Sequence, residues 1–116
     1  MQIDRADALT ILRALADPTR FRLFTALRQR ERCVRELVET EGLPQPLVSH
    51  HLGVLVGAGL LRSRRSDGFT MYAVDPAGLA AAARTVFGVL DPDDLTPVAL
   101  PGGNPACCRP SQGAGR

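Results

Sequence analysis

The chain has 116 residues, the length of one domain, and its 45% hydrophobic and 22% charged residues exclude a disordered composition. Its longest apolar run, Leu52 to Leu61, holds ten residues and three glycines, short of the ~20 needed to cross a bilayer; with a charged start (Asp4, Arg5, Asp7) and only three cysteines, the expectation is a soluble cytoplasmic chain without a membrane partner or a disulfide scaffold. The net charge of +2 is unevenly spread: residues 17–65 hold nine arginines against five acids, a net of +4, while residues 66–116 sum to −2.

Ala8, Leu9, Ile11, Leu12, Leu15 and Ala16 recur at helical spacing and predict a first helix over about residues 5–16. Asp17-Pro18 reads as an N-cap followed by proline at the first helical position. The second helix then runs to about Arg30, with Phe21, Leu23, Phe24 and Leu27 toward the core. A third helix fits Val34 to Glu41, and Gly42 with Leu43-Pro44 makes the turn after it. A fourth, from Gln45 to about Ala58, has Val48, Leu52, Leu55 and Val56 as its inner stripe, and Gly59 closes it. Two short helices joined by a tight turn with glycine form a helix-turn-helix.

Leu60 to Ser66 and Phe69 to Val74 read as strands joined by Asp67-Gly68, a two-residue hairpin turn that needs positive φ at both positions. Asp75-Pro76 repeats the N-cap and proline signal, and a fifth helix runs to about Leu90 with Leu79, Ala83, Val86, Phe87 and Leu90 on one side. From Asp91 onward five prolines and four glycines predict an irregular tail. The expected fold is thus mostly α with a small β-hairpin, a winged helix-turn-helix of order ααααββα over residues 1–90, with a Pro/Gly-rich tail over 91–116.

This order places an exposed helix face where it can enter a major groove. Opposite Val48, Leu52 and Leu55 the fourth helix offers Gln45, Ser49 and His50, side chains that hydrogen-bond base edges or phosphates. His51 lies near the buried stripe and is expected to be a packed, hydrogen-bonded histidine that braces the helix. Arg62, Arg64 and Arg65 lead into the hairpin tip, where a wing meets the DNA backbone or minor groove. The partner implied is operator double-stranded DNA.

The segments LADPTRFRLF and VSHHLGVLVGAGLL and the hairpin after them resemble the ArsR/SmtB family of small bacterial repressors, over about residues 6–76. That resemblance implies a homodimeric winged-helix repressor, with the first and last helices as the dimer interface and an inducer that releases DNA. Burial within one subunit accounts equally well for the apolar faces of those two helices.

Cys33 stands at the expected start of the third helix, where a helix N-terminus attracts anions and Arg32 and Arg35 add positive charge. Cys107 and Cys108 are adjacent in the tail. Thiolates select soft ions, and three sulfurs suit trivalent arsenic or antimony; they also suit cadmium or lead. Arsenic-responsive members of the family that this chain resembles carry a C-V-C-D-L-like motif at this helix. Here the stretch is Cys33-Val34-Arg35-Glu36-Leu37, so Arg35 replaces the second cysteine and the tail pair would have to complete the site. The resemblance also raises a zinc site on the last helix, but residues 76–90 contain no histidine and no acid. Cys33 is therefore either a core residue or a ligand, and the tail is long enough to reach it within or between subunits.

The leading expectation is a repressor released by As(III) or Sb(III) at Cys33, Cys107 and Cys108. A cadmium/lead-responsive or thiol-redox-responsive repressor on the same scaffold is the alternative. No enzyme is expected, because a short chain with its reading helix exposed leaves no room for a substrate pocket. A winged helix used only for protein contacts fits the central positive charge poorly.

Overall fold

The computed structural model describes residues 5–94. In chain order it contains α1 (Arg5–Leu15), α2 (Pro18–Gln29), β1 (Arg32–Cys33), α3 (Val34–Glu41), α4 (Gln45–Gly57), β2 (Leu61–Ser66), β3 (Phe69–Val74), α5 (Pro76–Leu90) and a 3-10 turn over Pro92–Asp94. This is the winged helix-turn-helix, with one addition. Arg32 and Cys33 pair with Tyr72 and Met71, so the hairpin becomes a three-stranded antiparallel sheet of order β1-β3-β2. Two residues are too few to show an alternating pattern in sequence; their backbone groups pair because the edge of β3 offers partners. The tail expected over 91–116 lies, from residue 95 on, outside the described residues, and Cys107 and Cys108 lie there with it.

Local chemistry sets the element ends. Asp17 caps α2, its Oδ2 accepting from the Arg20 backbone N–H at 3.0 Å, with Pro18 at the first helical position. Asp75 caps α5 in the same way, accepting from the N–H groups of Ala77 and Gly78. The α3 helix ends at Gly42, which takes the left-handed conformation (φ +68°) and donates to Val38 O at 2.9 Å. Asp67 (φ +52°) and Gly68 (φ +83°) supply the two positive angles of the hairpin turn. Among the described residues no helix is long and apolar enough to cross a membrane.

The core gathers Leu23 and Leu27 of α2, Leu37 of α3, Val48, Leu52 and Leu55 of α4, and Leu60 and Leu61 at the start of the hairpin. Each such leucine contributes about 1.5–3 kcal/mol by leaving water. The α5 helix docks its N-terminus on the turn after α4. A Cβ placed at Gly78 would lie 1.9 Å from Gly59 O, so only glycine permits this approach.

Several apolar positions depart from the expected pattern. On α1 the buried residues are Ala8, Ile11 and Ala14, while Leu9 and Leu12 are exposed. On α5 the buried residue is Ala82, flanked by Leu79 and Val86 packed on the core, whereas Ala83, Phe87 and Leu90 face outward. Phe21 and Val56 are also exposed. The cause is geometric: α1 and α5 carry apolar residues on more than one side, and this chain covers only the side where the two helices pack on the core.

Candidate nucleic-acid interface

The outer face of α4 follows from its inner one. Val48, Leu52 and Leu55 are fully buried, and the helical period then turns Gln45, Ser49 and His50 outward, where all three are exposed. None of the three side chains forms a hydrogen bond to another described residue; His50 has only a tilted ring contact with His51 at 5.6 Å. Their donors and acceptors are open to a ligand. A Gln or Ser in that position is able to bond base edges in a major groove.

His51 is buried, as its place in the stripe requires. Its Nδ1 lies 3.1 Å from Nη1 of Arg20, and because a guanidinium only donates, Nδ1 accepts in this arrangement. The same guanidinium donates from Nε to Ala14 O at 2.8 Å and from Nη2 to Arg13 O at 3.2 Å. Arg20 thus satisfies the last carbonyls of α1 and ties that helix to α4.

The wing carries Arg62, Ser63, Arg64 and Arg65 on β2, all exposed. The guanidinium groups of Arg62 and Arg65 form no hydrogen bond with a described residue. Arg64 is already engaged. Its Nε and Nη2 each donate at 2.7 Å to the carboxylate of Glu31, which lies just before β1. Those hydrogen bonds hold the Glu31 carboxyl below its ordinary 4.5, helped by the charges of Arg64 and Arg62 and opposed by partial desolvation. They raise Arg64 correspondingly. A second contact joins the wing to the body: the Arg35 guanidinium lies 5.6 Å from the centre of the Phe69 ring. Sequence reasoning missed Glu31, Arg35 and Phe69, since partners 33 and 34 residues apart leave no periodic signal.

Cys33 is half-buried and caps α3 without a side-chain hydrogen bond. It lines a recess of about 230 Å³ with Val34 and Arg35 of α3, Gln45 at the head of α4, and Gly68, Phe69 and Thr70 of the wing. Its neighbour Arg32 pairs with Glu36, which also takes Arg30. Among the described residues no group of three histidines, cysteines or acids comes together.

Residues 17–63 match the family model described as "Bacterial regulatory protein, arsR family". The transcriptional repressor SmtB of Mycobacterium tuberculosis is 47% identical over 62 residues, 53% of this chain, and the match spans only 46% of that protein's length. The arsenic resistance transcriptional regulator ArsR1 of Pseudomonas putida is 36% identical over 93 residues, covering 78% of this chain and 73% of that one. Among solved structures, an ArsR-like transcriptional regulator from Rhodococcus superposes with a TM-score of 0.67 at 25% identity, over 77% of this chain and 84% of the other. These proteins are named as regulators, none as an enzyme. The likeness to ArsR1 extends well beyond the helix-turn-helix, and on it we conclude that the chain belongs to the ArsR/SmtB family of transcriptional regulators.

Proposed function

We propose that the protein is a cytoplasmic repressor that binds operator DNA as a homodimer and releases it when As(III) or Sb(III) is held by Cys33, Cys107 and Cys108. Gln45, Ser49 and His50 read bases, and Arg62, Arg64 and Arg65 meet the backbone or minor groove. The observation that carries the sensing role is the recess that Cys33 shares with Gln45 and with the wing tip. An ion bound there sits between the two elements that touch DNA, so a small displacement of α3 changes both. Arsenic resistance in the name of ArsR1 supports this choice of ion. For switching, an inducer must favour the released state by about 5.5 kcal/mol to reverse a 99:1 occupancy.

Dimerisation is supported by the apolar side chains that α1 and α5 leave uncovered, Leu9 and Leu12 on one and Phe87, Val89 and Leu90 on the other. Two recognition helices set roughly 34 Å apart then meet successive grooves. The winged domain over residues 1–90 supplies DNA binding, and the tail over 91–116 supplies two of the three thiolates.

The test is an operator-release titration with arsenite, antimonite, cadmium, lead and zinc on the full chain. Wild type is expected to release DNA with the first two. Cys107→Ser and Cys108→Ser are expected to bind DNA and ignore them. Release by cadmium or lead alone, or by an oxidant alone, replaces the inducer; normal release by Cys33→Ser removes Cys33 from the site.

A further inference from the structure

We infer that Glu31 is a built-in competitor with DNA for Arg64 and sets the affinity of the wing below what its three arginines would give; this rests on the DNA-binding reading above. The Arg64 side chain is 59% exposed and lies on the hairpin, where the proposed function puts a DNA backbone contact. Yet its Nε–Nη2 edge, one of the two edges that take a phosphate bidentately, is filled by the Glu31 carboxylate at 2.7 Å through both donors.

The strand register shows how this arises. Arg64 stands opposite Met71, and Met71 stands opposite Cys33, so these three share a row across the sheet. Arg62 stands opposite Ala73, on the same face as Arg64 by the two-residue period. Glu31 precedes β1 at the edge of that face, within the electrostatic reach of both arginines. Asp67 in the turn also acts on Arg64. Two anions thereby face the wing cations, while the guanidinium donors of Arg62 and Arg65 stay free among the described residues.

The pair is breakable. It joins an exposed arginine to a half-buried glutamate at the surface, and surface ion pairs are weak and screened by salt. A phosphate that approaches Arg64 meets either a guanidinium whose bidentate edge is occupied or the repulsion of the displaced carboxylate. Glu31 therefore weakens binding to any sequence. It does so without touching DNA, as a positioning residue that acts through Arg64.

The experiment uses the full chain and a fluorescein-labelled duplex of mixed sequence, about three helical turns long, titrated by anisotropy across a series of salt concentrations. Phosphate contacts are independent of sequence, so no operator is needed. Glu31→Gln keeps the size of the side chain and removes its charge. It is expected to tighten binding about two- to fivefold at low salt, the range of a weak surface pair. The salt slope is expected to steepen by up to about 0.9, one phosphate's share. In an Arg64→Gln background most of that gain should vanish. Unchanged or weaker binding by Glu31→Gln overturns the inference, and so does a gain that survives intact without Arg64. A wild-type chain that fails to bind the duplex at low salt overturns the DNA-binding reading as well.

Discussion

The α4 helix and the wing present their polar groups in opposite states. On α4, the side chains of Gln45, Ser49 and His50 make no hydrogen bond to another described residue, and a rigid inner face of Val48, His51, Leu52 and Leu55 sets their direction. On the wing, Arg64 is held by Glu31, and Phe69 lies beside Arg35. The helix is preorganised and open; the wing is anchored and partly neutralised. Base reading tolerates no slack in the side chains that do it, whereas charge on the wing only needs to be matched to the affinity required. On the proposed function, a repressor that must let go of DNA gains from a wing that does not hold on too tightly.

The first way to break this contrast is to damage the inner face of α4. Leu52→Ala empties a fully buried site and is expected to cost about 2–5 kcal/mol, read as a fall in melting temperature with loss of DNA binding in proportion to unfolding. The outer face should behave differently. Gln45→Ala or Ser49→Ala is expected to relax sequence preference by about 1–3 kcal/mol per lost base contact and to leave the melting temperature nearly unchanged. A clear fall in melting temperature without a change in affinity marks either residue as structural.

Within the wing the comparison sharpens to single residues. Arg65→Ala is expected to weaken binding and flatten the salt slope more than Arg64→Ala does, because the Arg65 guanidinium has no hydrogen-bond partner among the described residues and Arg64 is already paired. Equal losses from the two variants contradict the pairing argument.

The smallest effect is on pH. The carboxyls of Asp17, Glu31 and Glu36 are all lowered, Asp17 first by the backbone N–H of Arg20, Glu31 by Arg64 and Glu36 by Arg30. A lowered folded-state value means the stabilisation is present above the ordinary 3.8 to 4.5 and is lost as pH falls through the folded values. These three carboxyls should therefore add no slope to the melting temperature from neutrality down to about pH 5 and should make it fall below that. Asp17→Asn is expected to reduce that acid dependence.

The parts of the fold that local chemistry decides were legible in the sequence. The Asp17 and Asp75 caps, the Gly42 stop and the Asp67-Gly68 turn each depend on residues within four positions, and each is as expected. So is the brace at His51, whose place in the stripe required a partner, although nothing in sequence named Arg20. Two kinds of feature were not legible. Periodicity shows that α5 has an apolar side, but not that Ala82 is buried in this chain while Phe87 and Leu90 are left outside. Pairing across the sheet depends on register, so β1 and the Glu31–Arg64 contact became visible only once β3 brought residues 31–33 beside residues 62–72. The same register shows why Cys33 and the wing belong to one neighbourhood.

The central claim is that the outer face of α4 and the wing are the surface that meets DNA. Amide hydrogen exchange of the full chain, with and without an operator duplex, tests it most directly. Added DNA is expected to slow exchange over residues 45–50 and 62–69 and to leave α5 unchanged. Protection confined to α1 and α5, or none at all under conditions where the duplex is bound, contradicts it.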